Sequence, residues 1–344
     1  MYNADHPKPK NLSKLGDGSL EVVAGSSHEE RLIYLKNVIK DLSWKTTTEL
    51  ATEELLQLVA DEVIDYTIAD SNEVALNKPF LLKLRVAFDI SEPQQLAWMM
   101  QRTEDMSLYK EVVNFFDKIN KNGELTRMIE KAYGHVDNLN YVGTIVFRRH
   151  IAKRLPAFED LFREAARKNN LDWRMLAAIG YQESLWNPKA VSPTGVRGLM
   201  MLTQKTASDM GIKNRLDPKG SIDGGAKYYA LTHKRIPKQI KEPDRTWMAL
   251  AAYNVGFGHL EDARKITEQR GLDPDKWIDV KTSLPLLAQR KWYKKTKYGY
   301  ARGWEPVRYV ENIRSYYDIL SRDEDIDYQE TPDPDVFQIM PNVL

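Results

Sequence analysis

The sequence predicts two domains of different class: an α/β domain over roughly the first 140 residues, then an all-α domain of about 170 residues. Three observations lead there. Short β-branched runs alternate with helical runs as far as Tyr133. From Tyr141 onward the strand signals disappear and helix follows helix. The length, 344 residues, suits about two domains rather than one.

Taken in order, residues 1 to about 18 are polar, with Pro and Lys, and read as a mobile lead-in. Leu20 to Ser27 is a short apolar strand ending in Gly-Ser-Ser. Helices are expected over His28 to Lys40 and Thr48 to Ala60. Strands are expected over Ile64 to Asp70 and Leu84 to Ile90, with Gln95 to Met100 a further candidate. Helices Leu108 to Lys121 and Leu125 to Tyr133 follow, stopped by Gly123 and Gly134. In the second domain helices are predicted at 157–169, 172–185, 203–210, 221–234, 244–254, 259–268, 283–288 and 306–320, with breaks at Pro188, Gly211, Pro218, Pro243 and Gly256. Residues 321 to 335 are acidic and carry prolines, a composition expected to be poorly ordered.

Composition narrows the chemistry. The net charge of +1 gives no global field toward nucleic acid or an anionic membrane. With no cysteine, disulfides, thiolate metal sites and a cysteine nucleophile are excluded. The six histidines form no HxxxH or similar metal spacing, and neither a Gly-x-Ser-x-Gly elbow nor a phosphate loop occurs. No cofactor is expected. The first ten residues lack the apolar core of a signal peptide, and no uncharged run approaches the roughly 18 to 20 residues of a membrane helix. The chain as written reads as soluble, with any export signal or membrane attachment expected to lie outside it.

The strongest chemical signal is Leu176 to Pro188, an apolar run that delivers one carboxylate, Glu183. Asp172 is placed to cap this helix, and Leu176, Ile179 and Glu183 share a face at spacings of three and four. A carboxyl on an apolar face is desolvated and its pKa rises, as a general acid near neutral pH requires. A helix-end Glu can equally cap a loop or pair with Arg197. The Ser192-Pro-Thr194-Gly195 string is first of all a turn, although its hydroxyls and backbone donors would suit a sugar's polar groups. The helix ending in Tyr253-Asn254 before Gly256 reads as core packing, with Asn254 capping its own helix or Tyr253 placing a hydroxyl in a cleft. The stretch from Tyr298 through Tyr300 and Arg302 to Tyr309 and Arg314 is rich in Tyr and Arg, which line carbohydrate clefts and structural interfaces alike.

In this order, Glu183-Ser-x-Trp-Asn-Pro, Ser192-Pro-x-Gly195, Gly198-Leu-Met and Ala252-Tyr-Asn-x-Gly256 resemble the lytic transglycosylases with a goose-lysozyme-like fold. The likeness covers about residues 155 to 320. It implies cleavage of peptidoglycan between N-acetylmuramic acid and N-acetylglucosamine without water, leaving 1,6-anhydromuramoyl ends. Glu183 would act as acid and then base. Ser192, Thr194, Gly195, Met200, Met201, Tyr253, Asn254, Tyr300 and Tyr309 would bind substrate, Met200 packing under the sugar. Met201 and Thr203 stand where soluble members commonly carry Gln and Met. The same fold could instead serve a muramidase that uses water, or a non-catalytic glycan-binding protein.

The first domain is similar to the later part of a periplasmic solute-binding protein. That implies muropeptides as candidate ligands there, bound weakly or not at all where the lobe's opening part is absent. The implied location is periplasmic, associated with the outer membrane. The boundaries expected are 1–17 for the lead-in, 18–140 for the partial solute-binding-like domain, 141–154 for a linker, 155–320 for the lysozyme-like domain and 321–344 for the tail.

Overall fold

A computed structural model of the chain describes residues 1–15, 18–133, 141–192 and 195–322, without the side chains of 131–133 and 141–142. It divides into two units, Met1–Asp137 and Asn138–Leu344.

The first unit is α/β. Its strands are β1 (Tyr2–Asn3), β2 (Leu20–Val23), β3 (Lys45–Thr47), β4 (Tyr66–Thr67) and β5 (Leu84–Arg85). Among the described residues they form one sheet in the order β3-β2-β4-β1-β5. β2 runs parallel to β3 and β4, whereas β1 is antiparallel to β4 and β5. The helices are α1 (Ser27–Lys36), α2 (Thr52–Ala60), α3 (Ser71–Asn77), α4 (Ser107–Lys121) and α5 (Glu124–Tyr133). Two apolar clusters hold the unit. One joins Leu55, Leu56 and Val59 of α2 to Leu81 and Leu84, and the other joins Leu20 and Val22 of β2 to Leu32 of α1.

The start of the chain departs from the sequence expectation. Met1 to Asn3 is no free lead-in: the Met1 amine donates to Thr67 O at 2.7 Å, and Tyr2 pairs with both Tyr66 and Arg85. Two residues give no periodicity to read, and their partners lie more than sixty positions away. The candidate strand at Gln95 to Met100 is not formed. β3 and α3 were not anticipated.

The second unit is helical. Its helices are α6 (Tyr141–Lys153), α7 (Glu159–Asn169), α8 (Trp173–Ser184), α9 (Gln204–Asp209), α10 (Pro218–Arg235), α11 (Asp244–Val255), α12 (Phe257–Gln269), α13 (Trp277–Ser283), α14 (Arg290–Tyr293) and α15 (Trp304–Arg322). Pro218 opens α10 instead of breaking it, because the first helical turn needs no N–H there. The expected linker 141–154 is a helix whose Phe147 ring is fully buried, packed on Tyr181, Trp186 and Tyr316 with centroids 4.4 to 5.6 Å apart. Of the expected tail only the first two residues, Ser321 and Arg322, are described, and both are helical; the acidic stretch beyond them lies outside the described residues.

α8 is the centre of this unit. Every residue from Met175 to Tyr181 is buried. α7 and α15 flank it. Such a helix is stabilised by packing on several faces, so its apolar sequence is not amphipathic. α15 runs antiparallel to it: Tyr317 Oη donates to the Asp172 carboxylate at the N-terminal end (2.8 Å), while Tyr309 reaches Glu183 at the other end.

Candidate active site

The position of Glu183 is fixed by both ends of α8. At the start, Asp172 accepts from the backbone N–H of Arg174 at 2.9 Å and also receives the Arg174 guanidinium. At the end, Leu185 and Trp186 both adopt left-handed backbone angles, φ +53° and +54°. Non-glycine residues pay of order 1 kcal/mol for this geometry. The surroundings hold it: Trp186 Nε1 donates to Ala177 O (2.9 Å), and Arg154 Nη1 donates to Leu185 O (2.8 Å). Ser184 Oγ donates to Leu199 O at 2.7 Å, tying the helix to the next loop. The chain is thus turned away immediately after the acid, leaving Glu183 partly exposed beyond a buried helix.

Glu183 does not pair with Arg197. Its Oε1 accepts from the Tyr309 hydroxyl at 2.6 Å. Withdrawal from water pushes the Glu183 carboxyl up to about 7, from an ordinary value of 4.5. Tyr309 donates to the carboxylate and pulls the other way, as the smaller effect. No other acid among the described residues contributes to the shift. Burial raises the Tyr253 and Tyr309 hydroxyls well above their usual range, and the neighbouring Glu183 adds to it. Both phenols are therefore neutral donors at physiological pH.

The two rings stack 6.4 Å apart and 17° from parallel. Tyr253 Oη donates to Met200 O at 3.3 Å, which carries the cluster across to the loop after α8. Glu183, Tyr253 and Tyr309, distant in sequence, thus form one connected group.

The loop from Ala190 to Thr203 closes on itself. Gly198 N donates to Ala190 O, and Ser192 exchanges backbone and hydroxyl bonds with Val196. Gly198 has φ +91°, and a Cβ there would lie 2.2 Å from Arg215 O. Only glycine fits. Arg215 clamps the same loop through Leu202 O (2.6 Å) and Gly195 O (3.4 Å). Ser192 and Gly195 sit at the loop's outer turn, while Thr194 lies outside the described residues.

Met200 requires a correction. Its side chain does not lie under a sugar; it is fully buried, wedged between Gly180 of α8 and Gly225 of α10. A Cβ on Gly225 would come within 2.7 Å of the Met200 methyl group. Met200 meets the site only through its carbonyl. Met201 is half-buried with φ +46°, Asn254 is exposed at the end of α11, and Tyr300 is exposed with its ring edge-on to Tyr293 at 5.8 Å.

Sequence reading missed Asn312, whose Nδ2 donates to Gln182 Oε1 at 3.1 Å beside the acid. The signal was available. Asn312 follows Tyr309 by three positions, so both occupy one face of α15. Tyr316, four further on, meets Tyr181 at 4.8 Å. Tyr228, 5.1 Å from Tyr253, was also missed, and its place among ordinary α10 residues carried no mark.

A helical unit that presents one desolvated acid to a tyrosine pair defines a class. Residues 160–276 match the transglycosylase SLT domain. The chain is similar to lytic transglycosylases: a small α/β region with a five-stranded sheet precedes the helical domain that carries the matched residues. It is 52% identical over 321 residues to membrane-bound lytic murein transglycosylase F of Ectopseudomonas mendocina (strain ymp), covering 93% of this chain and 66% of that protein. It is 51% identical over 323 residues to membrane-bound lytic murein transglycosylase F 1 of Alkalilimnicola ehrlichii, covering 94% and 65%. The chain thus spans just under two thirds of the length of these relatives. Among solved structures, the 70 kDa soluble lytic transglycosylase of Escherichia coli overlaps 58% of this chain and 30% of its own, with a TM-score of 0.39 and 22% identity.

Proposed function

We propose that this chain is a peptidoglycan lytic transglycosylase, a carbon–oxygen lyase. It cleaves the β-1,4 bond from N-acetylmuramic acid to N-acetylglucosamine and leaves a 1,6-anhydromuramoyl end. The observation that carries the reading is the Glu183 carboxyl, raised to about 7 with Tyr309 on one oxygen and no second acid acting on it among the described residues. Near neutral pH it holds a proton, which it gives to the departing glycosidic oxygen. With Oε1 engaged by Tyr309, Oε2 is the oxygen left to face the sugar. As a carboxylate, Glu183 then takes the proton from the muramoyl C6 hydroxyl while O6 attacks C1. Ordinary glycosidases divide this work between two carboxylates roughly 5 to 9.5 Å apart. An internal nucleophile needs only one.

In this reading the stacked Tyr253 and Tyr309 rings wall the cleft, and neutral phenols there add no second negative charge. Ser192, Thr194, Gly195, Met201, Asn254 and Tyr300 bind glycan around it. The protein is placed in the periplasm, where peptidoglycan lies, and at the membrane, since its relatives are membrane-bound by name. Muropeptides are the ligand class proposed for the α/β unit. Titration calorimetry tests that part: heat on adding muropeptide would establish the site, and none would leave glycan strands as the partner. The catalytic reading is tested by digesting purified sacculi with the wild type and with Glu183→Gln. The wild type is expected to release anhydromuropeptides and the variant none.

A further inference from the structure

The segment from Gln289 to Trp304 carries six Lys or Arg and no acid, in a chain whose net charge is only +1. Arg290, Lys294, Lys295 and Lys297 are exposed, and none pairs with a carboxylate among the described residues. The exposed rings of Tyr298, Tyr300 and Trp304 stand among them.

This strap is held firmly. The buried Asp262 carboxylate of α12 accepts the backbone N–H groups of Lys297 (3.1 Å) and Tyr298 (2.8 Å). Ala301 N donates to Leu287 O at 3.2 Å, and Thr296 Oγ accepts from Gly299 N at 3.2 Å.

The middle of the strap and its C-terminal end each lie a few positions along the chain from the acid's neighbours. The Tyr298 ring covers Gly258, within 2.8 Å of where a Cβ would stand, five positions after Tyr253. At the C-terminal end Trp304 opens α15, five positions before Tyr309. Trp304 and Tyr309 lie on one continuous helix, where five residues rise only about 7.5 Å. Tyr309 donates to Glu183, so the strap runs directly into the helix that holds the acid.

Glycan of the proposed substrate is uncharged along its sugars. Its negative charge lies on the peptide stems attached to the muramoyl lactyl groups, which end in free carboxylates. We propose that the Gln289–Trp304 strap binds the anionic peptide stems, so that the enzyme acts on stem-bearing glycan in preference to bare glycan. The inference rests on the transglycosylase reading above. A membrane-facing cation patch would have no reason to lead into the helix that holds the acid.

The test uses the full chain and a Lys294→Gln/Lys295→Gln/Lys297→Gln variant. Two substrates are compared: intact glycan strands with stems, and the same strands stripped by an amidase and with the freed lactyl carboxylates capped as methylamides, so that the bare strand is uncharged. Binding is measured by co-sedimentation alongside turnover. The wild type should prefer stem-bearing strands about tenfold at low salt, the variant should lose that preference, and its turnover of stripped strands should be unchanged. Added salt should erode the wild-type preference, because exposed charges are screened within roughly 8 to 10 Å at physiological ionic strength. Equal use of both substrates by the wild type, or an undiminished preference in the variant, would overturn the proposal. So would lysine-dependent sedimentation with phosphatidylglycerol vesicles but not with stem-bearing strands. Absence of anhydro products with stem-selective sedimentation intact would instead sink the catalytic reading and leave the stem site standing.

Discussion

At the scale of single residues, the account turns on Glu183 and the phenol that touches it. Its raised carboxyl means that the folded protein holds a proton which the unfolded chain releases near pH 4.5. Wild-type stability should therefore be fullest below about pH 4.5 and decline as pH climbs to about 7, by of order 2 to 3 kcal/mol. Glu183→Gln should lack that slope and melt higher than wild type at pH 8, with little difference at acid pH. Thermal melts at several pH values check this. Tyr309→Phe removes the donor that favours the carboxylate, so the Glu183 carboxyl should rise further. Activity that needs the protonated acid falls as pH rises through about 7, and this limb should move upward in the Phe variant. Its rate should drop roughly tenfold or more as one oxygen loses its anchor. A pH–rate profile with an unmoved limb would remove Tyr309 from its place.

At the scale of elements, α8 shows what pattern can and cannot reveal. Its N-cap, its apolar run and the acid at its end were all legible, because capping, burial and a stop at Pro188 leave local marks. What holds Glu183 in place was not. Tyr309 lies 126 positions away, and the left-handed turn at Leu185 and Trp186 occurs at residues that ordinarily avoid it. The role of α6 was misjudged for a similar reason. Its mean character is mildly basic and mixed, like a linker, yet one ring, Phe147, fills the space behind Tyr181 and Trp186. Phe147→Ala should cost about 3 to 5 kcal/mol. Urea titration of the variant reads this directly, and a loss under 1 kcal/mol would show that α6 is not built into the helical core. Met200 teaches the same lesson in reverse. Family resemblance suggested cleft lining, whereas two glycines on neighbouring helices make a slot that only a buried, flexible side chain fills.

At the scale of the whole molecule, the division into an α/β region and a helical domain was readable from where strand signals stop. The short strands of the first unit were less so, because strands of two residues such as β1 and β4 depend on partners far along the chain. Every side chain placed in the candidate site belongs to the second unit. Residues 138–344 expressed alone should therefore still cut glycan, and complete loss of activity in that folded fragment would show that the α/β unit supplies part of the site. The most direct measurement of the central claim is mass spectrometry of sacculi digested by the wild type in water enriched in oxygen-18. The account predicts 1,6-anhydromuramoyl ends with no label, all dependent on Glu183. Labelled reducing ends would contradict it, because they would show that water, not the muramoyl C6 hydroxyl, attacks the bond that Glu183 breaks.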